Sequence, residues 1–173
     1  TALLAATKTG YVSSDHSDTS KPDPITPRQV ATVKLLLAGG AKVEVQDEFG
    51  NSPLINACES GNLELVRLLV SAKAYVNPKT KHGQTPLIRA YQHGHLDIVR
   101  LLIEANANVN VKTPDNEAKT PLFMACDYGH TDIARLLIAA NADVNATLNE
   151  GMTALWMASV RGNVELVKML LNA

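Results

Sequence analysis

Histidine, cysteine and clustered aspartate are the residues in this chain that could hold a metal or carry a reaction. His93-Gly94-His95 sets two imidazoles side by side, and Asp15, His16, Asp18 and Asp23 gather donors within one short stretch. A zinc site needs three or four converging ligands, yet neither Cys-x-x-Cys nor His-Glu-x-x-His occurs. A calcium loop needs ligands at fixed spacing and a closing Glu, and the aspartate-rich stretch has none. The two cysteines, Cys58 and Cys126, are too few for a disulfide framework. Nucleophile elbows and phosphate-cradling glycine loops are missing as well. These residues predict no catalytic site, no metal, no cofactor and no enzyme.

Bulk properties narrow the partner. Lys and Arg total 16 against 17 Asp and Glu, a formal net charge of −1. Such a balance lacks the basic footprint that drives phosphate binding, so nucleic acid is not expected. No run of ~18 apolar residues exists to span a membrane, and Thr1 to Ala6 carries no basic leader. The chain opens without Met and in the middle of a pattern, which reads as a fragment of a longer protein. Unpaired thiols favour a reducing, intracellular and cytoplasmic setting.

The elements that must position these side chains come from a repeat. Thr1-Ala2-Leu3, Ser52-Pro53-Leu54, Thr85-Pro86-Leu87, Thr120-Pro121-Leu122 and Thr153-Ala154-Leu155 mark equivalent starts, the last four spaced by 33, 35 and 33 residues. A glycine stands nine residues after each start, at Gly10, Gly61, Gly94, Gly129 and Gly162. Apolar triplets then recur at Leu35-Leu36-Leu37, Leu68-Leu69-Val70, Leu101-Leu102-Ile103, Leu136-Leu137-Ile138 and Met169-Leu170-Leu171. A period of this size signals stacked supersecondary units.

Each unit reads as two helices. Ser or Thr is an N-cap and Pro a tolerated first helical residue; the glycine breaks the first helix. The second helix carries apolar residues at helical spacing, as in Leu65, Val66, Leu68 and Leu69. It closes at Gly40, Lys73, Asn106 or Asn141, where a left-handed residue is wanted and Lys73 is strained. In the first unit, residues 12–29 interrupt the pattern, and Thr26-Pro27-Arg28-Gln29 restarts a helix with a capping box. The fourth unit has a longer loop, Lys112 to Lys119, with Ala118 where the pattern has Gly, so its turn should differ.

Asp47-x-x-Gly50-x-Ser52-Pro53-Leu54, Gly94-His95, Leu136-Leu137 and Ala142-Asp143-Val144-Asn145 closely resemble the ankyrin repeat. The resemblance implies an all-α, ankyrin-repeat solenoid of about five helix-turn-helix repeats with β-hairpin-like loops. It makes residues 1–173 one domain, with repeats at about 1–45 (carrying the insertion 12–29), 46–78, 79–111, 112–146 and 147–173. Where the family usually has His after its Thr-Pro-Leu, this chain has Leu4, Ile55, Ile88, Phe123 and Trp156, an apolar ladder expected to pack between repeats. His95 and His130 fill a slot the family often gives to His, and a helix-turn hydrogen bond is expected of them. Cys58 and Cys126 share a core slot two repeats apart, too far to bridge. Asn77, Asn110 and Asn145 resemble asparagines hydroxylated in some eukaryotic members.

The family's partners dock on the hairpin tips and the exposed end of the first helix, along a concave groove. Carried over residue by residue, the tips are Glu48, Phe49 and Asn51; Lys81, His82 and Gln84; Asn116, Glu117 and Lys119; Asn149, Glu150 and Met152. The helix positions are Glu59 and Ser60; Gln92 and His93; Asp127 and Tyr128; Val160 and Arg161, with Tyr91 leaning in beside them. Phe49, Tyr91, Tyr128 and Arg161 are the expected anchors, since aromatic and Arg side chains dominate interface energetics. A monomeric, non-catalytic protein–protein interaction module or scaffold follows. The competing reading is a structural spacer or capping segment of a larger multidomain protein.

Overall fold

The computed structural model describes residues 1–8, 26–115, 117–148 and 151–173. Among them are ten α-helices and no β-strand. They are α1 (Ala2–Thr7), α2 (Pro27–Ala38), α3 (Pro53–Ser60), α4 (Leu63–Ser71), α5 (Pro86–Gln92), α6 (Leu96–Glu104), α7 (Pro121–Tyr128), α8 (Thr131–Ala139), α9 (Ala154–Val160) and α10 (Val164–Leu171). The chain divides into two compact units, Thr1–Ile98 and Val99–Ala173, with the division inside α6.

Short helices like these are marginal alone. Their ends are fixed by caps, and their stability comes from burying one face. Ser52, Thr85, Thr120 and Thr153 each accept a side-chain hydrogen bond from the backbone N–H three residues on, at 3.2, 3.3, 3.2 and 3.1 Å. Thr26 and Gln29 form the expected reciprocal capping box. Asn62 and Asn163 cap α4 and α10 in the same way. The remainder of the proposed insertion, residues 12–25, lies outside the described residues, as does Gly10.

In the first unit α1 packs on α2 and α3, α3 on α4 and α5, and α2 on α4. In the second, α7 packs on α8 and α9, and α10 on α8 and α9. Each unit thus layers helix pairs, the quasi-one-dimensional arrangement in which a pair buries its faces only against neighbours. Leu4, Ile55, Ile88 and Phe123 are buried, as the ladder requires.

Trp156, the fifth rung, is not: 47% of its surface is exposed. The expectation of core packing for Trp156 is corrected. The helix face that sheathes Ile55, Ile88 and Phe123 has no covering layer among the described residues at α9. Ser159, aligned with buried Cys58 and Cys126, is exposed for the same reason.

The second-helix closures behave as read. Gly40, Lys73, Asn106 and Asn141 all adopt positive φ, 78°, 64°, 62° and 61°. The loop holding Ala118 departs from expectation in one respect. Ala118 takes φ 52°, the same left-handed state as Gly50, Gly83 and Gly151. What changes is the closure: Thr113 N–H donates to Lys119 C=O across six residues, where Asp47 to Asn51 and Thr80 to Gln84 close across four. Asp115 makes the Ala conformation bearable, because its carboxylate accepts from the N–H of both Glu117 and Ala118.

Candidate functional site

The loops and first-helix ends carry the exposed side chains. In the first unit, Asp47 organises the loop before α3. Its Oδ1 accepts from Phe49 N–H at 3.0 Å and Asn51 N–H at 2.8 Å. Its Oδ2 accepts from Asn51 Nδ2 and faces Lys8 Nζ, each at 3.1 Å. Burial pulls the carboxyl upward, but donation from Asn51, Lys8 and Phe49 outweighs it and holds the pKa at about 2, below the usual 3.8. The next loop is tied directly to this one: Lys81 N–H donates to Phe49 C=O at 2.9 Å. Gly50 permits that approach, since a Cβ there would lie 3.0 Å from Thr80 Cα and Lys81 N.

Phe49 stands out of this frame with 54% of its surface exposed. Glu48, Lys81 and His82 are also exposed, and Asn51 and Gln84 half-buried. Behind them, Glu59 and Ser60 are half-buried while Gln92 and His93 are exposed. Arg89 and His93 approach the Glu59 carboxylate only to 3.9 and 4.0 Å. His93 stacks on His95 with ring centroids 6.1 Å apart. His95 Nε2 bonds Glu59 C=O at 3.2 Å, joining one repeat to the one before it.

In the second unit, Arg161 donates from Nε and Nη2 to Asp127 Oδ1, at 3.1 and 2.5 Å. Tyr128 is 64% exposed beside them, and Val160 is exposed at the slot that holds Glu59, Gln92 and Asp127 in other repeats. Lys119 pairs with Glu117, and that hydrogen bond raises the lysine pKa. Met152 is half-buried. Asn116, Asn149 and Glu150 lie outside the described residues.

Tyr91 is a correction. Only 3% of it is exposed, so it anchors the core and cannot lean into the tip surface. It aligns with Cys58 and Cys126, both fully buried, and that alignment was the available signal. Those cysteines are free thiols, and burial pushes both pKa values up, Cys126 to about 11. Neither is an activated nucleophile. Among the described residues no three His, Cys, Asp or Glu converge to hold a metal; Asp15, His16, Asp18 and Asp23 lie outside them. No helix of the described residues is long and apolar enough to cross a membrane.

Two residues were missed in the sequence. Lys8 and Asn56 join Asp47, Phe49, Asn51 and Glu59 around a pocket of about 210 Å³. Asn56 had a signal: its slot, one after the apolar ladder, holds Arg89, Met124 and Met157 elsewhere, and a lone buried amide among them needs a partner. Asn110 has a structural task, donating from Nδ2 to Asn141 C=O at 3.2 Å and accepting from Asp143 N–H at 2.8 Å.

A family model for ankyrin repeats, in three copies, matches residues 28–113 and 112–173. No curated protein matches the chain. Ankyrin repeats are generally protein–protein interaction modules and typically non-catalytic.

Proposed function

Because the chain belongs to the ankyrin-repeat family, we propose that it is a non-catalytic binding module whose protein partner docks on the loop tips and first-helix ends. One observation carries this reading. The described loops are hydrogen-bonded in place by Asp47, Asp115 and the Lys81-to-Phe49 bond, and Phe49 on a loop and Tyr128 at the end of α7 are large side chains that stand exposed. Preorganised aromatic anchors lose little entropy on binding. Tip chemistry also changes from repeat to repeat, as expected of a surface shaped by a partner and not by the stack. The intended setting is cytoplasmic, in keeping with two buried free thiols.

Affinity purification from the source cell with quantitative mass spectrometry tests it. Phe49→Ala/Tyr128→Ala should lose a specific partner that wild type retains. Lys34→Ala/Arg67→Ala, exposed on α2 and α4, should keep it. Equal recovery of a partner by all three chains, each shown folded by circular dichroism, would remove the tip surface from consideration, and no specific partner for any of them would leave the spacer role.

A further inference from the structure

Five Ser/Thr-Pro dipeptides occur in the chain, beginning at Thr26, Ser52, Thr85, Thr113 and Thr120. The last four are closed to a macromolecule, with only 3–5% of each Ser or Thr exposed. Their hydroxyls are also engaged. Ser52, Thr85 and Thr120 each accept from a backbone N–H of the helix they cap. Thr113 donates to Asp115 Oδ1 and accepts from Lys119 N–H. Thr26 alone of the five is exposed. Its backbone, φ −77° and ψ 158°, is extended, the form in which many peptides are recognised.

Charge at this helix end sets it apart from its equivalents. The other second helices, α4, α6, α8 and α10, carry Glu64, Asp97, Asp132 and Glu165 in their first turns. The first turn of α2 holds no acid, and Arg28 stands exposed there. Added negative charge would therefore be unopposed and favoured by the helix dipole. One side chain links the same end to α1. Gln29 Oε1 accepts from Thr26 N–H at 2.7 Å and faces Thr26 Oγ1 at 3.3 Å, while its Nε2 donates to Lys8 C=O at 3.3 Å.

We propose that Thr26 is the site at which a proline-directed protein kinase phosphorylates this chain, and that the phosphate turns Gln29 away from Lys8. Thr26 Oγ1 attacks the γ-phosphorus of ATP and the bond to the β–γ bridging oxygen breaks. ADP leaves, and the hydroxyl proton passes to the carboxylate base of the kinase. The product has lost the O–H that Gln29 Oε1 faces and carries a charge of about −1.5 to −2 at neutral pH. Oxygen against oxygen repels, so the Gln29 amide rotates, offers Nε2 to the phosphate and releases Lys8 C=O. The inference does not rest on the partner-docking reading, and its test needs no partner.

The test incubates the native full chain with a mitogen-activated protein kinase and ATP, and follows each site by mass spectrometry. Synthetic peptides spanning the five dipeptides give the rates without a fold. Native Thr26 should react within about threefold of its peptide, and the four buried sites about tenfold or more slowly than theirs, since each must first open. Phosphate on Thr26 should then move the Gln29 side-chain amide in ¹⁵N–¹H spectra and leave the amides of Asn62 and Asn163 in place. A Thr26 peptide that the kinase refuses, or a native Thr26 as protected as the other four, would overturn the site. So would native modification of all five at peptide rates. A phosphorylated chain with an unmoved Gln29 amide would overturn the switch.

Discussion

His95 bridges two repeats of the first unit, and the glycine beneath its ring makes the bridge measurable. Gly61 has φ 74°, and a Cβ there would sit 2.4 Å from His95 Cε1 and 2.7 Å from Nε2. Gly94 and Gly129 share nearly the same backbone, φ 72°, but a Cβ at either meets nothing within 4 Å. Alanine at Gly94 or Gly129 therefore costs only the left-handed strain, about 1–2 kcal/mol, partly offset by a stiffer unfolded chain. A net of about 1 kcal/mol is expected. Gly61→Ala bears that cost and must also displace the His95 ring from Glu59 C=O. A hydrogen bond of this kind contributes about 0.5–1.5 kcal/mol, so Gly61→Ala should cost about 1.5–2.5 kcal/mol.

The double mutant separates the two terms. With His95→Ala the ring is gone, and Gly61→Ala should then cost only about 1 kcal/mol more, giving a coupling of about 1 kcal/mol. Urea unfolding followed by far-UV circular dichroism measures all five variants. If Gly61→Ala proves no more costly than Gly94→Ala, or equally costly with and without His95, the inter-repeat role of the imidazole is wrong.

Three other outcomes are expected. Phe123→Ala should cost about 3–5 kcal/mol as a core truncation, whereas Trp156→Ala, at the same slot but half-exposed, should cost no more than about half as much in the same urea assay. Asp47 has a folded pKa of about 2 against an ordinary 3.8, so its contribution is complete above pH 4 and drains away between pH 4 and pH 2. Wild type should lose about 2 kcal/mol more than Asp47→Asn across that window, and parallel urea midpoints for the two at pH 5 and pH 2.5 would refute the pairing. Lys73→Gly relieves φ 64° at a solvent-exposed turn and should stabilise by about 0.5–1 kcal/mol, read as a raised melting temperature.

The helices were legible because their signals are local. An N-cap, a following proline and a glycine nine residues on mark the ends of a short helix, and Ser52, Thr85 and Thr120 all do this, although α5 closes one residue earlier, at His93. Lys73, Asn106 and Asn141 could be placed in left-handed turns because Gly40 stands at the same repeat position. Trp156 was misplaced because its slot predicts burial only when another layer covers it, a condition set outside the repeat itself. Ala118 shows the same limit in reverse, since the side chain that offsets its strain, Asp115, is specific to this one loop. Lys8 stayed hidden because it meets Asp47 across about forty residues of sequence, and the partner of Asn56, Thr7, lies 49 residues away, where periodicity carries no information.

Position in the repeat and identity of the side chain therefore carry different kinds of information. Slots that bury, such as Ile55, Ile88 and Phe123, accept any apolar residue of suitable volume, so they constrain the fold and say nothing about a partner. Slots at the tips are held by backbone bonds to Asp47, Thr80 and Asp115, so an exposed side chain such as Phe49 takes no part in holding its own loop. The backbone of Phe49 is fixed from both sides while its ring contributes little to the core, which is the condition under which a side chain can be selected for what it touches outside the molecule.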